Sequence, residues 1–446
     1  AEDDRGDPGV GDRAQRRLSD GSHSSGAADG GVPDVIVVGA GAAGLWCAEV
    51  AARAGRRVLV LEKTPRSGTK ILASGGTRCN VTTTLDAPDA LRLFGPKGER
   101  FLRHGFHALR PTDVRTRFEG WGVALEEAPL EKVFPSSGNA RDVRDALEGA
   151  ARGAGARIAL EAPVVGVEPR GDAWAVRTAD GEAHAAPRVV LAAGGMSYPG
   201  TGTTGDGYPW LEALGLEVVD PVPALVPLTS PAPWVHELTG LAWQGAEVTL
   251  EPAAGGKRLA RRRRPVLFTH TGVSGPGAMD VSAHVARGGA FRMRVDAFPD
   301  IEREALRAAL VDAARLPGNP RVQRALGEME TGPMARRLFD AFAAQAGVPP
   351  GIALGELSKS KRHGLVEALK GLEVPVDGTR GWDHAEVTAG GLALREVDPR
   401  SMAVNGRPGL FVIGELLDVD GPIGGLSFQA AFSTAEVAGR ALAAQG

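Results

Sequence analysis

The chain has 446 residues, 43% of them hydrophobic, which allows two or three domains with real cores. Its formal net charge of −3 gives no global electrostatic case for nucleic acid. Its longest charge-free apolar run, Val35 to Ala48, is too short to cross a bilayer. Only two cysteines occur, Cys47 and Cys79, which excludes a disulfide framework and suits a reducing, cytoplasmic compartment.

Residues 1–32 mix Asp, Arg, Ser and Gly with almost no large apolar side chains, so they read as a disordered tail. No apolar segment follows Arg16-Arg17, which argues against a secretory signal, and the chain starts at Ala1, not Met, as a sequence continuing upstream would. Asp34 to Glu62 then spells a strand, a glycine turn, a helix and a second strand ending in an acid. Gly39 permits the tight turn, Gly41 lets backbone approach a pyrophosphate, and Gly44 lets the helix pack closely on the sheet. The helix N-terminus offers free N–H groups to phosphates. Glu62, eighteen residues beyond Gly44, is placed to accept hydrogen bonds from a ribose diol.

A glycine-rich loop, 63–84, comes next, then a mostly helical stretch over 86–155. Strands are expected at 157–160, 163–167 and 173–177, and the apolar run 188–193 leads into Gly194-Gly195. In FAD enzymes of two-dinucleotide-fold ancestry, such a strand returns the chain to the cofactor. Residues 223–382 change character, with strands at 246–250, 265–269 and 291–295 followed by helices at 302–314, 335–345 and 362–372. This reads as an inserted β-barrel-plus-helix, substrate-side domain between the two parts of an FAD-binding domain, 33–222 and 383–446. Within the second part, a short strand ends in Gly414-Glu415, and Gly424-Gly425 opens a final helix at 429–443. That is how FAD proteins close over the ribityl chain and flavin, with the helix N-terminus at the flavin's pyrimidine edge.

The catalytic candidates are weaker. Arg78 and a glycine loop beside Cys79 are conditions that lower a thiol pKa, yet the chain has no CxxC, and a small residue filling space against the flavin is the simpler reading. His270 sits in a polar glycine loop, Thr269 to Pro276, where it could line the substrate side; His384, Ser197 and Tyr198 are lesser candidates. Arg261–Arg264 reads as a solvated hairpin before it reads as a grip for phosphate or RNA. Nine histidines without HxH or HExxH spacing give no metal site.

With these residues in hand, the chain resembles the BaiN-like, aminoacetone-oxidase-like family of FAD-dependent oxidoreductases from Asp34 to Gly439. The match rests on Lys70 to Asn80, Ala193 to Gly202, Thr269 to Pro276, Val387 to Gly391 and Gly414 to Gly421. It differs at Thr77, where the family has a third glycine, and at Gly425-Leu426-Ser427-Phe428, where it has Gly-Tyr-Asn-Leu. The resemblance implies an α/β fold, Rossmann-like and split by an insert, with bound FAD and redox chemistry in the cleft between the parts. The expected cofactor-binding set is Gly39, Gly41, Ala42, Ala43, Gly44, Glu62, Lys63, Thr77, Arg78, Cys79, Asn80, Val165, Ala193, Gly194, Gly414, Glu415, Asp420, Gly424, Gly425 and Leu426.

The expected function is hydride transfer at the flavin to or from a small organic substrate, with no nucleic-acid or membrane partner. Its rival is a non-catalytic flavin-containing factor that associates with RNA or protein. No second strand–GxGxxG–helix unit follows Glu62, so NAD(P)H can serve only as a transient electron donor in the open cleft, unless the substrate itself reduces the flavin. Substrate identity and oligomeric state leave no mark in the sequence.

Overall fold

A computed structural model describes residues 31–315, 318, 321–322, 335–349 and 351–444. All but the last two residues of the expected disordered tail lie outside that set. The first strand, β1 (Val35–Val38), is wholly buried, as is β2 (Val58–Leu61), and helix α1 (Ala42–Arg53) joins them. Runs of Val, Ile and Leu buried on both faces belong to the centre of a parallel sheet. The sheet is completed by β3 (Arg157–Ala159), β4 (Arg188–Leu191) and β5 (Leu410–Val412), in the order β5-β4-β1-β2-β3, every pair parallel. The chain runs outward from β1 to β3, then returns to β1's other side as β4. Strand order therefore reverses beside β1, which opens a crevice at the carboxyl ends of β1 and β4.

The loop expected over 63–84 contains a short helix, α2 (Thr69–Ala73), and the stretch expected to be helical contains an antiparallel hairpin, 125–128 with 132–135. The last helix, α3 (Leu426–Ala444), packs along α1, where Gly439 lets the two approach: a Cβ there would stand 2.6 Å from that of Val50. Trp46 of α1 lies in an aromatic cluster with Phe118, Trp121 and Phe432. Residues from Val35 to Leu442 outside the middle of the chain share this core.

A separate core draws only on residues 228–374. Its strands form one sheet of five and one of four, backed by helices Arg303–Ala313, Arg336–Gln345 and Lys359–Leu369. Two antiparallel strands, 218–224 and 387–392, make the neck between this lobe and the parallel sheet. A small core of Ala224, Leu225, Met279, Val387 and Ala389 fills that neck. Among the described residues, no helix is long and apolar enough to cross a membrane.

Candidate active site

One cavity of about 630 Å³ runs from the β1–α1 turn to the second lobe, within the roughly 300–1,000 Å³ typical of cofactor sites. Three glycines build its first end by different means. A Cβ on Gly39 would lie 2.5 Å from the Ala192 carbonyl oxygen, and one on Gly44 only 1.9 Å from that of Gly39. Gly41 meets nothing within 4 Å, because its side-chain direction opens into the cavity. No side chain caps α1 and no acid occupies its first turn, so its leading N–H groups are free for an anion.

Glu62 is set at the end of β2 by its own surroundings. One carboxylate oxygen accepts from Ala40 N at 2.8 Å, and the other from Thr64 N at 2.9 Å and Thr64 Oγ1 at 2.8 Å. The oxygen that accepts only from Ala40 N keeps a lone pair for a ribose hydroxyl. Replacing Glu62 by alanine should weaken FAD binding by about 1–3 kcal/mol, the range for charged hydrogen bonds. FAD retention through gel filtration measures this, and unchanged occupancy would assign Glu62 a purely structural role.

The far end is framed by α3, whose first residues Leu426, Ser427 and Phe428 line the cavity behind Gly424 and Gly425. Gly425 has φ +79°, and a Cβ there would stand 2.1 Å from the Thr82 carbonyl oxygen, so only glycine fits. Between the two ends, Glu415 ties four segments together. It accepts from Lys70 Nζ at 2.5 Å, Thr388 N at 2.7 Å and Ser197 Oγ at 3.0 Å. Thr388 Oγ1 in turn accepts from Met196 N at 2.8 Å. A Cβ on Gly195 would stand 2.2 Å from that hydroxyl, which accounts for the second glycine of the pair.

The second lobe and the neck supply apolar lining at Leu225, Leu267, Pro276 and Met279, and Phe134, Lys132, Tyr198 and Glu386 line the same cavity. Tyr198 holds φ +54°, an uncommon conformation for a bulky residue. Glu386 is exposed to the cavity but crowded by protein. Burial raises its carboxyl pKa above the usual carboxylate range, against the pull of Lys132 and Lys70. Asp280 bridges the lobes: it accepts from Ile423 N at 2.9 Å, and burial pushes its carboxyl up to about 6, opposed by that hydrogen bond and by Arg262 and Arg264.

Of the expected cofactor-binding residues, Gly39, Gly41, Ala42, Ala43, Glu62, Lys63, Asn80, Ala193, Gly194, Gly414, Glu415, Gly424, Gly425 and Leu426 line this cavity. Gly44 lies behind it as a packing glycine. Val165 does not line it: strand alternation turns Val164 inward and leaves Val165 52% exposed. Asp420 is exposed outside the lining. Thr77 and Arg78 also miss it; Arg78 lies 4.1 Å above the Phe134 ring and 3.6 Å from Glu126.

Cys79 is corrected most. Its glycine loop folds inward and buries the thiol, and burial pushes its pKa up to about 12, so it is neither a reactive thiolate nor a wall of the cavity. His270 is exposed and outside the lining, and the less favoured His384, half-buried, is outside it too. Lys132 and Glu386 were missed, and nothing local in their segments marks them. Gly200 to Gly205 repeats the GxGxxG spacing, but it begins inside a 3-10 turn, Pro199–Thr201, and not at the end of a strand. Among the described residues, no group of three or more His, Cys, Asp or Glu could hold a metal ion.

The free N-terminus of α1, the open face at Gly41 and the ribose-ready Glu62 together fit a dinucleotide, with α3 and the Glu415 network beyond it. The family described as "HI0933-like protein Rossmann domain" matches residues 33–441. The chain belongs to this family of FAD-dependent oxidoreductases. It is 31% identical over 402 residues to a ribosomal RNA dihydrouridine synthase of Escherichia coli, covering 90% of this chain and 96% of that one. It is 30% identical over 413 residues to a 3-dehydro-bile acid delta(4,6)-reductase of Clostridium scindens, covering 91% and 98%. Among solved structures, a 3-ketosteroid-delta4-(5alpha)-dehydrogenase from Rhodococcus jostii matches with a TM-score of 0.49 at 17% identity, covering 95% and 99%.

Proposed function

We propose that this oxidoreductase reduces a carbon–carbon double bond conjugated to a carbonyl in a small organic substrate. The observation that carries the reading is the continuity of the cavity, which joins a dinucleotide cradle to an apolar chamber with a few polar groups. The names of the two relatives support it: one is a dihydrouridine synthase and the other a delta(4,6)-reductase. Overall, the β-carbon gains a hydride and the α-carbon a proton, and a two-electron donor is oxidised. FAD, when bound, supplies hydride chemistry.

The protein supplies placement. Gly41 and the α1 N-terminus hold the pyrophosphate, Glu62 the ribose, and the Leu426–Phe428 end of α3 the flavin side. In this reading residues 223–382 form the substrate-side domain, with the neck closing one wall. Two free cysteines, both buried, suit the cytoplasm.

The arginine run gives no support to a non-catalytic RNA-associated factor, because every member already faces a carboxylate. Arg261 pairs with Glu247 at 2.7 Å, Arg264 with Glu131 at 2.6 Å, and Arg263 with Asp300, while Arg262 lies 3.8 Å from Asp280.

The test uses purified protein, which should be yellow and release FAD, not FMN, on denaturation. Reduced chemically under anaerobic conditions, it should be reoxidised by a cyclic conjugated enone and not by the saturated ketone. A colourless protein that ignores added FAD, or indifference to every enone, would end the reading. NADH and NADPH should bleach the oxidised flavin slowly and without saturation, because the cleft offers them no second dinucleotide fold. Fast bleaching that saturates at micromolar nicotinamide in stopped-flow absorbance would reveal a dedicated nicotinamide site.

A further inference from the structure

We propose that Lys132 receives the substrate's carbonyl oxygen, its ammonium facing the atom on which negative charge gathers. The site then selects ligands that join an apolar ring to an oxygen anion or conjugated carbonyl. This rests on the reading of the cavity as a flavin and enone site.

Three lysines line the cavity, and two are already engaged. Lys63 donates to Asp206 at 2.5 Å and Thr204 at 2.6 Å; Lys70 donates to Glu415 and Ser197, both at 2.5 Å. Among the described residues, Lys132 makes no side-chain hydrogen bond and has no carboxylate within ion-pair distance. It lines the cavity, with Phe134 two positions along the same strand and Leu225, Leu267 and Met279 in the same lining. An ammonium is a compact point charge, suited to a single oxygen that becomes more negative as reaction proceeds.

The backbone that carries Lys132 is strained and held. Leu130 and Glu131, just before it, have φ +66° and +56°, although neither is glycine. Such conformations persist where surrounding contacts impose them, and they gather at functional sites. The contacts are specific. Arg264 of the second lobe grips Glu131 at 2.6 Å, Thr84 N donates to the Glu131 carbonyl at 3.1 Å, and Val133 N donates to Asn80 Oδ1 at 3.0 Å. The last member of the arginine run thus clamps the hairpin tip that presents Lys132, coupling the second lobe to the chamber. Lys132 attracts the charge of its cavity neighbour Glu386 but makes no hydrogen bond to it, so the ammonium's donors stay open to a ligand.

The experiment titrates the FAD-loaded protein with para-hydroxybenzaldehyde, whose phenolate mimics an enolate on an apolar ring. The readout is the flavin's visible difference spectrum as a function of pH. The wild type should bind the phenolate form and lower the apparent pKa of the bound phenol. Lys132→Ala and the volume-conserving Lys132→Met should each weaken binding by about tenfold or more, the size of a lost charge-assisted hydrogen bond. Both should keep their FAD. The ether para-methoxybenzaldehyde, which cannot ionise and offers only a neutral carbonyl, should bind more weakly than the phenolate and lose less affinity on either substitution. Equal phenol affinity in wild type and both variants, or equal affinity for phenol and ether in the wild type, overturns the assignment of Lys132. Loss of FAD from the wild type itself would instead overturn the flavin reading beneath it.

Discussion

Replacing Gly41 by valine should give a folded, colourless protein. Gly41 has φ −80° and ψ −170°, ordinary extended backbone that valine adopts without strain, and a Cβ there meets no protein atom within 4 Å. The new side chain would project into the cavity where the pyrophosphate approaches the α1 N-terminus. FAD affinity should fall by roughly a hundredfold or more, equivalent to about 2.7 kcal/mol, which is within the range for overpacking. Gly44→Val is the contrasting case. Its Cβ would stand 1.9 Å from the Gly39 carbonyl oxygen, so α1 could not seat on the sheet and the chain should not accumulate as folded protein. Circular dichroism and bound-FAD absorbance on the two variants check this. A yellow Gly41→Val protein would mean that the glycine turn does not face the cofactor.

Removing the Arg117 guanidinium should cause a large loss of stability in a protein that still folds. Arg117 lies between two buried carboxylates, 3.0 Å from Glu49 on α1 and 3.5 Å from Glu436 on α3, and its guanidinium sits 5.1 Å from the Trp46 ring centre. Trp46 Nε1 also donates to Glu436 at 2.8 Å. Arg117→Met would leave Glu49 and Glu436 with only the more exposed Arg53 and Arg440 as charged partners. The cost should be about 3–5 kcal/mol at neutral pH, as for other buried pairs that lose one partner.

The sign of the pH dependence follows from Glu49. Burial holds its carboxyl above the usual carboxylate range, while Arg117 and Arg53 pull it down. A raised carboxyl contributes stability that is fully present below the unfolded value, about 4.3, and is lost as pH rises through the folded value. Without Arg117 the folded value climbs further, so the variant's deficit should shrink as pH falls from neutral toward that unfolded value. Urea unfolding followed by tryptophan fluorescence measures this. A deficit independent of pH would show that lost packing, not the stranded carboxylates, sets the cost.

The dinucleotide end was legible because its chemistry is local. Gly39, Gly41 and Gly44 fall within six consecutive residues, and the turn, the helix N-terminus and the close packing they serve are all built by those same residues. Strand runs such as 35–38 and 188–191 were equally plain, since a strand buried on both faces must be apolar throughout. Misreadings arose where a side chain's surroundings come from distant segments. Arg78 and the glycines beside Cys79 suggested an exposed thiol, yet the loop folds inward and the thiol is fully buried. Val165 and Val164 differ by one position, and only the strand's actual pairing decides which of them faces the cavity.

By itself, then, the sequence determined the βαβ unit, the absence of a second such pattern, the final helix opened by Gly424-Gly425, and a middle segment of different composition. These are spacing rules over a few turns of chain, and backbone sterics enforce them wherever the segment sits. Only the tertiary structure decided which charged groups reach the chamber. It set Lys132 beside Phe134 through a hairpin held by Arg264, and it drew Glu415, Lys70, Ser197 and Thr388 into one hydrogen-bonded knot. It also gave each arginine of the 261–264 run a carboxylate to face. Those partners lie tens to hundreds of residues apart, and a charge's role depends on what burial and packing place within a few ångströms of it. No local pattern encodes that proximity.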